Sequence, residues 1–114
     1  MTCYMILFPS PAMEVPAEEL PAVGEAARAV VREAKEAGVF VFGGGLDESV
    51  APVLVAGDGT VSEGTYPQTR EFSGGFTIVD VPTHAEAERW AAKIAVACRC
   101  PQEVRAFGYD PESY

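Results

Sequence analysis

Two runs of this chain carry no charged side chain at any position: Cys3-Tyr4-Met5-Ile6-Leu7-Phe8 and Val39-Phe40-Val41-Phe42. Each is too short for a typical helix and ends at a breaker, Pro9 after the first and Gly43-Gly44-Gly45 after the second. A strand with one wet face alternates apolar and polar residues, so an unbroken apolar run reads as a strand buried on both faces. The sequence therefore requires a sheet with something packed against either side.

The rest of the chain supplies helices for one side. Over residues 18–37 the apolar positions Leu20, Val23, Ala27, Val30, Val31 and Ala34 recur at helical spacing, and Gly38 marks the stop. Pro21 and Gly24 weaken the opening turns, which places the ordered start near Leu20. Thr83-His84-Ala85-Glu86 has the form of a capping box and predicts a second helix. Its buried stripe is Ala87, Trp90, Ala91, Ile94, Ala97 and Cys98, its wet side Glu86, Glu88, Arg89 and Lys93, and its end lies near Cys100 and Pro101.

Residues 52–56 and 60–62 flank Gly57-Asp58-Gly59, an Asp-Gly hairpin signal. A polar loop follows over 63–73, then a strand over 76–81 ended by Pro82, and a last strand over 103–107. The order is β-α-β-β-β-α-β. With the hairpin as an excursion, this is an α+β, ferredoxin-like βαββαβ arrangement. One domain is expected over 1–108, with a polar tail over 109–114.

Two helices cover one face of a four-stranded sheet, so the other face needs a cover of its own. A second copy packing face to face is the economical solution, and the chain is expected to be a homodimer. The alternative, that Tyr4, Phe8 or Phe40 line a pocket, is compatible with a dimer.

At 114 residues, 48% hydrophobic and 22% charged, the chain has the balance of a single folded core. A net charge of -9 and a pI near 4.4 argue against binding nucleic acid or an anionic membrane surface. No apolar stretch approaches a membrane span or a signal peptide, so a cytoplasmic protein is expected. Three cysteines, Cys3, Cys98 and Cys100, suit neither a disulfide framework nor a four-ligand zinc site. Reduced structural thiols are expected. A redox pair at Cys98-Arg99-Cys100, with Arg99 favouring a thiolate, is the alternative. No metal and no cofactor are expected.

The segment Glu63-Gly64-Thr65-Tyr66-Pro67-Gln68-Thr69-Arg70-Glu71-Phe72-Ser73-Gly74-Gly75-Phe76 resembles the signature of the YCII-related, DGPF-domain family. That signature is an Asp-Gly-Pro-Phe run, then Thr and a basic residue, then Gly-Gly-Phe before a strand. Gly64, Thr69, Arg70, Glu71, Gly74, Gly75 and Phe76 match it, Glu63 and Tyr66 are conservative replacements, and Thr65 stands in place of the Pro. Glu36-Ala37-Gly38-Val39, Val79-Asp80-Val81-Pro82, Trp90-Ala91 and Glu103-Val104-Arg105 extend the similarity over nearly the whole domain.

The resemblance implies a dimeric α+β barrel of ferredoxin-like subunits. In some branches of the family it implies proton-transfer chemistry by a His-Asp pair with the His in the N-terminal half, and one branch includes a dehydrochlorinase. The single histidine here is His84, at the start of the second helix, so that pair does not carry over. Genes of this family often lie beside genes for extracytoplasmic-function sigma factors, so the resemblance also permits a regulatory or accessory role.

Among the residues themselves, the 63–75 loop is the strongest site candidate, with Glu63, Tyr66, Thr69, Arg70, Gly74 and Gly75 as ligand-binding residues. A Glu takes a proton, a Tyr donates one, and an Arg holds a carboxylate in two parallel bonds, a set suited to a small acid or enol. The structural alternative pairs Glu63 with Arg70, bonds Thr69 to the backbone and uses Gly74-Gly75 as a tight turn. His84 is either a neutral base, its imidazolium disfavoured at a helix start, or an exposed first-turn residue. Gly43-Gly44-Gly45 lacks the pattern of a phosphate loop and reads as a strand exit whose backbone can approach a ligand. Asp47 and Asp80 read as loop and strand-end carboxylates. The expected function is that of a dimer of no assigned chemistry that binds a small ligand or a protein partner in an accessory or regulatory role. The alternative is a cofactor-free isomerase or lyase using Glu63, Tyr66 and Arg70, with His84.

Overall fold

The first apolar run becomes a centre strand. In the computed structural model, which describes residues 1–113, β1 (Thr2–Phe8) pairs antiparallel on both sides. The other elements are α1 (Leu20–Glu36), β2 (Phe40–Gly45), β3 (Val53–Val55), β4 (Val61–Glu63), β5 (Gly75–Val81), α2 (His84–Cys98) and β6 (Glu103–Ala106). The main sheet has the order β2-β5-β1-β6, the ferredoxin-like order, and β3-β4 form a separate two-stranded sheet inserted between β2 and β5. Of the tail expected over 109–114, Tyr114 lies outside the described residues.

Local chemistry sets the helix ends. α1 follows a 3-10 turn at Ala17–Glu19, so Pro21 falls in its first turn, where a missing N–H costs nothing. It closes on Gly38 at φ 74°, with Gly38 N–H donating to Lys35 and Val39 N–H to Ala34. That is a Schellman stop, and the positive φ explains the glycine. Thr83 Oγ1 accepts the Glu86 N–H at 3.2 Å and so caps α2 as the Thr-x-x-Glu pattern predicts. At the far end Arg99 takes the left-handed conformation, φ 60°, that glycine took in α1.

Two departures from the sequence expectations matter. The three glycines do not end β2; they continue it, pairing Gly43 with Thr77, Gly44 with Phe76 and Gly45 with Gly75. A glycine keeps its backbone donor and acceptor, so the ladder persists where side chains stop. An irregularity between Phe40 and Phe42 makes the register shift there. In addition, the two runs differ in burial within one chain: β1 has no exposed position and Cys3 is buried on the face opposite Tyr4 and Ile6, whereas β2 is exposed on its outer face. Tyr4 and Ile6 are buried beneath the helices, whereas Val41 and Phe42 remain 51% and 57% exposed.

Register shows what each face carries, because paired residues project to the same side. Under the helices, next to the Thr2-Val81 pair, lie three ranks across the sheet: Phe40-Val79-Tyr4-Ala106, then Gly43-Thr77-Ile6-Val104, then Gly45-Gly75-Phe8. On the bare face the ranks are Phe42-Ile78-Met5-Arg105 and Gly44-Phe76-Leu7-Glu103, ending in an Arg105–Glu103 ion pair. The hydrophobic core lies between α2 and the sheet, where Ala87, Ala91, Ile94 and Cys98 meet Tyr4, Ile6, Val79 and Val81. α1 packs mainly on α2 and only lightly on β2. The radius of gyration, 15.7 Å, exceeds the roughly 13 Å expected of a compact chain this long. The β3-β4 hairpin, which packs chiefly on itself, contributes to that excess.

Candidate functional site

The site is built from missing side chains. Three of the helix-facing positions in the second and third ranks, Gly43, Gly45 and Gly75, have no side chain to fill the layer between the sheet and α1. What remains is a half-open cavity of about 700 Å³, within the range of ligand pockets. Phe8, Phe40 and Met13 line it, with Ala27 and Val31 of α1 and Leu46 just beyond β2.

The glycines are not equivalent. A side chain on Gly75 would meet the Gly44 carbonyl at 2.9 Å, and one on Gly43 would press on Phe76, Phe40 and Thr77 at 3.2–3.3 Å. Gly45 has room, its nearest neighbour being the Gly74 carbonyl at 3.8 Å. Gly74 combines φ 78° with a backbone collision against Phe8 and Ser10, so only glycine fits there. The rim is tied down beside it. Ser10 N–H donates to Ser73 Oγ at 3.0 Å, and Leu46 N–H to the Gly74 carbonyl at 2.7 Å.

Four ionisable side chains among the described residues line the cavity: Arg28, Lys35, Glu48 and Cys98. Arg28 bonds Glu25 at 3.2 Å, and Glu48 accepts from Ser10 Oγ at 3.4 Å. Lys35 has no ion-pair partner among the described residues; its ammonium lies 5.4 Å over the ring of Phe40. Burial pushes the Cys98 thiol up, with Cys100 adding to the effect. Gln102 donates to the Cys100 carbonyl at 3.2 Å, which fixes its amide, and leaves its Oε1 buried without a partner. An unpaired buried acceptor costs about 1–3 kcal/mol.

The loop residues expected to form the site fall into two groups. Gly74 and Gly75 line the cavity. Glu63 ends β4, Tyr66 is 66% exposed, and Thr69 and Arg70 sit on an exposed 3-10 turn, all outside the cavity lining. Thr69 Oγ1 bonds the Tyr66 carbonyl at 3.4 Å, whereas no ion pair joins Glu63 to Arg70. His84 is elsewhere. The loop enters β5 at Gly75 and His84 lies beyond its other end, a seven-residue strand of about 20 Å. There it bonds Glu88 at 2.9 Å and meets the Tyr4 ring edge-on at 5.5 Å.

The alternative of a redox pair meets a physical obstacle. Cys98 and Cys100 are buried and free, and desolvation raises both thiols, so the thiolate is disfavoured. Arg99 points its charge at Glu19, 2.8 Å away. Trp90, expected in the core, is partly buried and packs against it.

A model of the YCII-related domain matches residues 1–99. The chain belongs to the YCII-related domain family. No curated protein matches it closely enough to extend that statement to an activity. Within this YCII-related domain, the 73–75 end of the signature builds the cavity rim, and the cavity itself depends on residues that the signature does not contain: Arg28, Lys35, Phe40 and Gly45. One signal for them lay in the sequence. Arg28, Val31 and Lys35 are spaced i, i+3, i+7, one stripe of a helix with cations at both ends, and the glycine run follows the next apolar run.

Proposed function

We propose that this YCII-related protein binds a small molecule in the cavity between α1 and the glycine-bearing half of the sheet, in an accessory role. The observation that supports it is the loss of side chains at Gly43, Gly45 and Gly75 in adjoining ranks of an otherwise filled layer. Interiors are close-packed, so a gap of about 700 Å³ beside a core is a feature to be used. The test is a variant that fills it. Gly45→Leu introduces a side chain where there is room, and it should abolish ligand-induced thermal stabilisation across a small-molecule library that stabilises the parent. Equal stabilisation of parent and variant would place binding elsewhere.

The functional unit in this reading is a homodimer in the cytoplasm. Met5, Leu7, Phe42, Phe76 and Ile78 form two apolar ranks on the face that no helix covers. Burying such a face against itself gives a closed two-fold contact. Three free thiols suit a reducing compartment. Sedimentation should give a particle of twice 12.1 kDa, and Ile78→Glu should return it to the monomer. A monomeric parent at micromolar concentration removes the dimer from the proposal and leaves the cavity standing.

A further inference from the structure

The charges around the cavity run against those of the chain. Over the whole sequence, 17 acidic residues face 8 Lys and Arg. Around the cavity, two cations, Arg28 and Lys35, stand with one carboxylate, Glu48. Both cations come from α1, on either side of Val31, while the walls beyond them are apolar: Phe8, Phe40, Met13.

The two cations are not equally available. Arg28 is engaged with Glu25, and Glu25 also holds Arg32 at 2.6 Å. Lys35 has no ion-pair partner among the described residues and is held over the Phe40 ring, an aromatic that also lines the cavity. Its charge is thus positioned at an apolar wall without being neutralised. A ligand that fills the glycine gap and reaches Lys35 must be apolar in its body and negative at its head.

We propose that the cavity takes an amphipathic monoanion, an aliphatic or aryl carboxylic acid, with the apolar body over Gly43 and Gly45 and the carboxylate on Lys35. This rests on the ligand-binding reading above and adds the class of ligand. Lys35 is the specificity-determining residue: it selects acid over alcohol or amine, while the gap itself accepts any of the three bodies.

Three probes of one chain length separate these parts: decanoate, decanol and decylamine, each below its micellar concentration. The readout is the amide signals of Gly43, Gly44 and Gly45 in a ¹⁵N-labelled sample. Decanoate is expected to bind about tenfold more tightly than decanol, the size of one partly exposed charge-assisted contact, and decylamine more weakly still. Lys35→Gln should bring decanoate to the level of decanol and leave decanol unchanged. Raised salt should weaken decanoate alone.

Equal binding of decanoate and decanol, or tightest binding of decylamine, overturns the acid preference and leaves the cavity as a binding site. Shifts at the three glycines from none of the probes, with Gly45→Leu behaving as the parent, overturn the cavity reading as well. A tenfold preference that survives Lys35→Gln assigns the head group to another residue and overturns the role of Lys35.

Discussion

The two halves of the helix layer solve opposite problems with the same sheet. Beneath α2, Ile6, Val79 and Val81 are at most 1% exposed and meet a stripe of alanines and Ile94. Beneath α1, the corresponding positions of β2 and β5 are glycines and the space stays open. Small residues appear in both halves with opposite effects. On α2, Ala87 and Ala91 let the helix approach the sheet closely. On β2 and β5, the glycines face a helix that does not approach, and they leave a cavity. Packing depends on the pair of surfaces, and a small residue closes a gap only where its partner moves in.

The contrast can be broken most forcefully on the filled side. Ile6→Ala deletes a fully enclosed side chain from the second rank and should cost about 2–5 kcal/mol in urea unfolding. Removing the Thr83 cap that positions α2 over that core, as Thr83→Ala, should cost about 1 kcal/mol by the same measurement. On the open side, Val31→Ala should cost less than about 1 kcal/mol, since one flank of Val31 already faces the cavity. A loss there equal to that of Ile6→Ala would mean that α1 closes on the sheet in solution. Gly45→Leu should leave stability unchanged or raise it by about 0.5–1 kcal/mol, because it relieves a glycine of its unfolded-state entropy.

Alkaline pH probes the same difference through the thiols. Burial raises Cys3, Cys98 and Cys100 above their ordinary value of 9.0, so the folded state holds these protons more tightly than the unfolded chain. Their contribution is complete below pH 9 and is lost as pH rises through the folded values. Stability should fall above pH 9, and Cys98→Ala should flatten that fall without affecting the acid limb. The acid limb belongs to surface carboxylates: Glu25 bonded to Arg32 and Arg28, Asp47 to Ser49, and Asp58 to Thr60 are all held below their ordinary values. What they contribute is present above pH 5 and lost as pH falls through their folded values.

The fold was legible because its signals are local and redundant. The apolar run at 3–8, the Schellman glycine Gly38, the Asp58-Gly59 turn and the Thr83 cap each depend on a few neighbouring residues, and they agree with one another. The site was legible only in part. The signature drew attention to Glu63, Tyr66 and Arg70, which the chain carries on exposed backbone, whereas Gly74 and Gly75 of the same signature do line the cavity. Glycines after an apolar run are ordinarily a strand exit, and only their pairing with β5 shows that they are strand residues lacking side chains over a helix.

By itself the sequence determined the element order, the helix ends and the presence of a sheet in which two strands have no polar side, since periodicity and capping act over a few residues. Tertiary structure decided which of those residues share a rank, and therefore where the layer is full and where it is empty. That depends on strand register and on how near each helix comes to the sheet. These distances are set between residues as far apart as Cys3 and Phe107, whose backbones bond at 3.0 Å, and no local pattern encodes them.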